Sequence, residues 1–175
     1  MPETIFLNPH PATLADEDLL KQCEVAFGRT SGPGGQHRNK VETAATLTHL
    51  PSGISATGTE RRRQIENRGV ALKRLRLKLA LRVRANVSPK YYTPTELWES
   101  RRQGKQLSIN PLHRDYPALL AEALDVIVAR KFDVAGAAGI LGISMSQLAK
   151  LVRHDKHAFA MVNEGRVQRG LPALK

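Results

Sequence analysis

A chain of 175 residues with 41% apolar and 5% aromatic composition can build one ordinary domain or two small ones. Its 27 Lys and Arg against 16 Asp and Glu leave a net charge of +11, which favours a polyanionic partner and says nothing of fold. No apolar run approaches the ~20 residues that span a bilayer, residues 1–4 lack the features of a signal peptide, and the single cysteine, Cys23, excludes an internal disulfide and suits a reducing cytoplasm.

Taken in chain order, Asp16-Glu17-Asp18 supplies the acidic first turn of a short helix over 13–22. Residues 23–27 alternate apolar and polar, predicting a strand in which Cys23 is a small core residue. Ser31-Gly32-Pro33-Gly34-Gly35-Gln36 is loop by composition. Strands over 44–50 and 54–59 follow, joined by a Pro51-Ser52-Gly53 turn. Residues 60–86 carry a helical pattern, with Ile65, Leu72, Leu75, Leu79 and Val83 on the face that covers the sheet. The expected first domain is therefore α+β over 1–87, a small mixed sheet with one long basic helix.

Residues 88–115 read as a linker and a short helix, with Thr93, Pro94 and Glu96 forming a capping box. An all-α domain is expected over 116–175. Its first helix, 117–131, follows Asp115, and Asp133 and Ser144 are N-caps, the latter with Gln147 three residues on. Residues 137–151 are patterned as a helix-turn-helix-like unit whose second helix presents Ser146, Gln147, Lys150 and Arg153 outward. A packed helical pair without a nucleic-acid role is the other reading of this stretch.

Between residues 60 and 90 lie eleven Lys and Arg against Glu60 and Glu66. With so few acids at helical spacing these cations are not paired along the helix, and an RNA backbone is the natural partner. The segment has no Trp or Phe, which disfavours a membrane-surface helix.

The run Arg29-Thr30-Ser31-Gly32-Pro33-Gly34-Gly35-Gln36-His37-Arg38-Asn39-Lys40-Val41-Glu42-Thr43, followed closely by Thr48-His49-Leu50-Pro51-Ser52-Gly53-Ile54, closely resembles the peptidyl-tRNA hydrolase domain of class-I peptide chain release factors and codon-independent ribosome-rescue hydrolases. The resemblance covers about 16–84. It implies a release-factor catalytic-domain-like fold in which Gly34, Gly35 and Gln36 are catalytic. The Gln36 backbone N–H would donate to the developing oxyanion or the departing 3′ oxygen, a contribution of about 3–4 kcal/mol. Its side chain would place water and refuse bulkier nucleophiles, while the glycines permit a backbone that a Cβ forbids. Arg29, Ser31, His37, Arg38, Asn39, Lys40 and His49 would face RNA, as would Arg61, Arg62, Arg63, Arg68 and Arg74. Arg38 and the row Arg61-Arg62-Arg63 depart from the family pattern by adding charge beside the tRNA path. His37 reads as an exposed polar residue rather than a general base.

The implied partners are the ribosome, through large-subunit rRNA, and peptidyl-tRNA, with no membrane; the protein is expected to be a cytoplasmic monomer. Neither cofactor nor metal is expected, because the six histidines are scattered and one cysteine cannot build a standard zinc site. No Ser sits in a Gly-x-Ser-x-Gly elbow. Only about thirty residues precede the loop, so stop-codon reading is not expected. The sparse basic tail (Lys156, Arg166, Arg169, Lys175) points instead to the helical domain for engagement of the ribosome. A reading from another class is a nucleic-acid-binding regulator that uses the helix-turn-helix-like unit, its loop inactive.

Overall fold

The computed structural model describes residues 4–28 and 43–175. They form two compact units, Pro11–Leu79, and Met1–His10 together with Ala80–Lys175. The expected boundary near residue 87 thus compares with a unit boundary after Leu79, inside a helix. The chain opens with strand β1 (Ile5–Phe6), which belongs to the larger unit. The smaller unit then runs through a 3₁₀ turn (Pro11–Thr13), helix α1 (Asp16–Lys21), strands β2 (Cys23–Gly28), β3 (Ala44–His49) and β4 (Ile54–Gly58), and helix α2 (Gln64–Arg82), which continues past Leu79.

The three strands form one sheet in the order β2–β3–β4, antiparallel throughout. This corrects the mixed sheet expected from sequence. The turn between β3 and β4 is far shorter than the dozen or so residues a parallel crossover needs. The parallel pairing among the described residues joins β1 to strand β5 (Val83–Arg84) in the larger unit. The period of two puts Ala45, Leu47 and His49 of β3 on the buried face, with Ile54 and Ala56 of β4.

Helix α2 forms readily because its sequence is dominated by Leu, Ala, Lys and Arg. It lies antiparallel to β4, where Arg74 Nη1 donates to Thr57 O at 2.7 Å and Lys78 Nζ to Ser55 O at 2.8 Å. At the other end of the strand a Cβ on Gly58 would stand 2.2 Å from Asn67 O and 3.0 Å from Ala71 N, so only glycine admits this approach. The buried stripe is Asn67, Ala71, Leu75 and Leu79, whereas Ile65 is 67% exposed. Ile65 therefore does not cover the sheet as expected. The helix begins at Gln64 rather than Glu60, and its inward phase is set four residues at a time from Asn67. Leu75 and Leu79 are fully buried, each worth about 1.5–3 kcal/mol.

The larger unit continues with helix α3 (Glu96–Arg101), strands β6 (Arg102–Gln103) and β7 (Gln106–Leu107), and helices α4 (Tyr116–Ala129), α5 (Val134–Ile140), α6 (Met145–Arg153) and α7 (Lys156–Val167). The N-cap of α3 is Thr95, not Thr93: its Oγ accepts from Trp98 N at 3.2 Å and donates to Glu122 Oε2 at 2.6 Å. Glu122, buried on the apolar helix α4, also accepts from Thr95 N and Tyr92 Oη, both at 2.8 Å. Trp98 is fully buried and donates through Nε1 to Leu141 O at 2.9 Å. The segment with the composition of a linker is thereby fixed to the helices that follow it.

Asp133 and Ser144 cap α5 and α6 as expected, accepting from Gly136 N and Gln147 N. Asp115 stands at the N-cap of α4 without a side-chain cap bond, its carboxylate pairing instead with Arg101 at 2.6 Å. α5 and α6 meet at 104° across a turn in which Gly142 takes φ +68°, within the roughly 90–120° of helix-turn-helix units. Two buried polar contacts complete this unit. Arg84 pairs with Asp125 at 3.0 Å, where burial pushes the Asp125 carboxyl up against the pull of the guanidinium. His10 Nε2 lies 3.0 Å from Val83 O and must be the donor, since a carbonyl only accepts.

Candidate functional site

The expected catalytic residues Gly34, Gly35 and Gln36 lie outside the described residues, as do Arg29, Ser31, His37, Arg38, Asn39 and Lys40. Their setting is described on both sides. β2 and β3 pair along their whole length, ending on Gly28 opposite Ala44. The two ends of the intervening chain are therefore held as neighbours by the sheet, which fixes the stem of the loop whatever its course.

A residue that the sequence reading passed over organises the rest of the stem. Asn67, fully buried, accepts through Oδ1 from Arg61 N at 2.8 Å. Its Nδ2 donates to Thr43 O at 2.6 Å and to Arg61 O at 2.9 Å. One side chain thus ties the residue before β3 to the bend that carries Arg61, Arg62 and Arg63. The amide orientation follows from chemistry, since the partners are one N–H and two carbonyls. Its signal in the sequence was a polar residue in register with Ala71, Leu75 and Leu79.

The expected cations differ in what they can do. Arg61, Arg62 and Arg63 are exposed in the bend that precedes α2, not in the helix. Arg68 is half-buried, and its Nε has no hydrogen-bond partner among the described residues. Arg74 is engaged, bonded to Thr57 O and paired with Glu60. Glu60 also accepts from Thr59 N at 2.9 Å, and that bond, followed by the one from Arg74, holds its carboxyl below the usual range.

His49, expected to face RNA, is corrected: it is fully buried. It has the strand parity of Ala45 and Leu47, which points it into the core. Its Nδ1 lies 2.7 Å from Ser52 Oγ and its Nε2 3.0 Å from Gln22 Oε1. Nε2–H donates to the Gln22 carbonyl, so Nδ1 accepts from the Ser52 hydroxyl, and burial lowers its pKa in keeping with a neutral ring. His49 thus braces the β3–β4 turn. Cys23 is half-buried, donates to Leu19 O at 3.2 Å, and has its thiol pKa pushed up by burial, the opposite of what a nucleophile needs.

An antiparallel sheet holding a loop stem, beside a bend of exposed arginines, defines an α+β module suited to a polyanion. Residues 17–109, more than half of the chain, match the family model described as RF-1 domain, and the chain belongs to that family. Relatives include the chloroplastic peptide chain release factor PrfB1 of Arabidopsis thaliana, 46% identical over 66 residues, 38% of this chain and 14% of that protein. Peptide chain release factor 1 of Chlorobaculum tepidum is 55% identical over 63 residues, 36% of this chain and 16% of that protein. The mitochondrial peptide chain release factor 1-like protein of Rattus norvegicus is 33% identical over 89 residues, 50% of this chain and 24% of that protein. The chain therefore spans a quarter or less of the length of these relatives. Among the described residues no single helix is long and apolar enough to cross a membrane.

Proposed function

We propose that this protein acts in the cytoplasm, as a monomer without cofactor, to hydrolyse the ester joining a nascent peptide to tRNA in the peptidyl transferase centre of the large ribosomal subunit. The observation that carries this reading is the amino-acid sequence from Arg29 to Thr43 with Gly34-Gly35-Gln36 at its middle, in a chain of the RF-1 domain family whose relatives are named release factors. The paired ends of β2 and β3 and the Asn67 bonds supply the rigid stem that a catalytic loop needs. The release-factor-like arrangement of the catalytic domain belongs to the same proposal.

In this reading water attacks the ester carbonyl carbon, the carbonyl oxygen gathers charge, and the bond to the tRNA 3′ oxygen breaks as that oxygen takes up a proton. The Gln36 backbone N–H stabilises the charged oxygen, worth about 3–4 kcal/mol. Gly34 and Gly35 let the backbone reach the ester. Arg61, Arg62 and Arg63 meet RNA phosphates, with Arg29, Ser31, His37, Arg38, Asn39 and Lys40 as further contacts. Release is proposed to be independent of the stop codon, with the helical region after residue 115 helping to choose the ribosomal state.

The test is release of a labelled peptide from ribosomes carrying it on P-site tRNA, with a stop codon, a sense codon or no codon in the A site. The expected result is release at similar rates in all three, lowered about 100-fold or more by Gly35→Ala, with unfolding temperature unchanged. No release in any state, or full activity of Gly35→Ala, overturns the hydrolase reading. A strong preference for stop codons overturns codon independence alone.

A further inference from the structure

Helix α6 turns the face bearing Gln147, Lys150 and Leu151, with His154 just past its end, toward the β6–β7 hairpin, and between them lies a cleft of about 250 Å³. We propose that this cleft is a second RNA site, which takes one unstacked base of a single-stranded segment. The choice of RNA over DNA rests on the ribosomal role proposed above; the site itself rests on its walls.

The walls are built rather than incidental. The hairpin is held by Arg102, which donates to the Glu99 carboxylate at 3.0 and 2.6 Å and to Gly104 O at 3.0 Å. Its tip is fixed to the start of α6 by Ser144 N donating to Lys105 O at 3.0 Å. Leu107 and Leu151 line the cleft, are buried and give it an apolar part. The lining also carries three carboxamides, Gln103, Gln106 and Gln147, together with Lys150 and His154. The ring of His154 is set edge-to-face against buried Tyr116, centroids 6.3 Å apart and planes at 78°, so its orientation does not have to be found on binding. None of the nine lining residues is acidic, and the neighbouring Asp155 is spent on capping α7 through His157 N and Ala158 N.

These groups select a ligand by their chemistry. A carboxamide offers a donor and an acceptor in one plane, matching the edge of a nucleobase. A histidine ring is a stacking platform, and an exposed lysine in the lining can meet a phosphate. The volume is smaller than the ~300–1,000 Å³ of sites for drug-sized molecules, which suits one base with part of its sugar. Bases in a duplex stay stacked, and the A-form major groove is too narrow for side chains to read, so the segment must be a loop, bulge or end.

The experiment uses the full chain labelled with ¹⁵N and titrated with a mixed-sequence RNA of about eight nucleotides, a length within the range of single-strand sites. The readout is the side-chain amide signals of Gln103, Gln106 and Gln147. These report on the cleft separately from Arg61–Arg63 and do not depend on peptide release, so this proposal and the hydrolase reading can fail independently. The expected result is that all three amides shift with single-stranded RNA and much less with the same RNA in duplex form, with single-stranded DNA, or with adenosine monophosphate. Gln147→Ala and His154→Ala should each raise the midpoint read from the remaining cleft signals by about fivefold or more. Lys150→Gln should do so with a flatter salt dependence. Cleft amides that stay still while the Arg61–Arg63 signals move would overturn the proposal. So would equal shifts with the mononucleotide, DNA or duplex.

Discussion

Asn67→Ala tests how the loop stem is held. The substitution deletes the bonds to Arg61 N, Arg61 O and Thr43 O, at 2.8, 2.9 and 2.6 Å. A buried polar group left without a partner costs about 1–3 kcal/mol. Arg61 is exposed and can recruit water, while Thr43 is half-buried and is the group most exposed to that penalty. The expected sum is about 2–4 kcal/mol, or a fall in unfolding midpoint of roughly 4–16 °C for a chain of this size. Far-ultraviolet circular dichroism on heating measures it. Asn67→Asp should be no better than Ala, because it keeps the acceptor for Arg61 N but sets an oxygen against two carbonyls. Peptide release at saturating protein should fall as well, since Thr43 leads into β3 from the loop. A midpoint shift within the ~0.5 kcal/mol typical of surface changes would refute the assignment of Asn67 as the tie.

Gly58→Ala should cost at least about 3 kcal/mol, because its Cβ would sit 2.2 Å from a backbone oxygen and must push α2 off β4; equilibrium unfolding in urea reads this directly. Gly69→Ala, with nothing within 4 Å of the new Cβ, should instead stabilise by about 0.5–1 kcal/mol in the same assay. Burial lowers the pKa of His10 from 6.5 to about 4, so the native state keeps it neutral while the unfolded chain takes a proton. Stability should be full above pH ~6.5 and decline toward pH ~4 by about 3 kcal/mol, and His10→Gln should remove most of that slope. Replacing Arg61, Arg62 and Arg63 together with Gln should flatten the log K against log salt plot for ribosome binding by roughly 2 units. Arg74→Gln should lower stability and leave the salt slope nearly unchanged.

The elements legible in the sequence were those with a strong local period or a local cap. β2, β3 and β4 fall within a residue of expectation, and the caps at Asp133 and Ser144 hold because an N-cap bond is made three residues away. What was missed depended on partners distant in the chain. Thr95 caps α3 in place of Thr93 because Glu122, 27 residues on, receives its N–H and hydroxyl. Of the face expected for α2, Leu75, Leu79 and Val83 are buried, and only its N-terminal end differs: Ile65 is exposed and Asn67 takes the inward place, because a buried asparagine does not count as apolar. His49 is placed facing RNA by the resemblance, although its strand parity with Leu47 points inward, where it is buried. For the loop itself, the motif carries the proposed chemistry, and the two flanking strands fix only the ends of its stem.

The charge pattern shows why composition alone overstates the surface available to RNA. The near absence of acids at helical spacing from 60 to 90 implied unpaired cations, yet several are paired once the chain folds. Arg74 pairs with Glu60, Arg76 with Asp16 at 2.6 Å, and Arg84 with Asp125 at 3.0 Å. The latter two partners lie 60 and 41 residues away, beyond any local pairing rule. A cation neutralised inside the fold displaces few counterions on meeting RNA. Arg61, Arg62 and Arg63 differ: they are exposed, and no side-chain partner for them is present among the described residues. They also stand just before the N-terminus of a 19-residue helix, where the helix dipole disfavours cations by about 0.3–1 kcal/mol each. Three like charges at a terminus that repels them are a burden on the folded chain. Among the described residues the nearby carboxylates do not relieve it, because Glu60 is turned to Arg74 and Glu66 is one charge against three. In the proposed function an external anion would remove both penalties at once, and Asn67 ties the bend that would receive it to the stem of the loop.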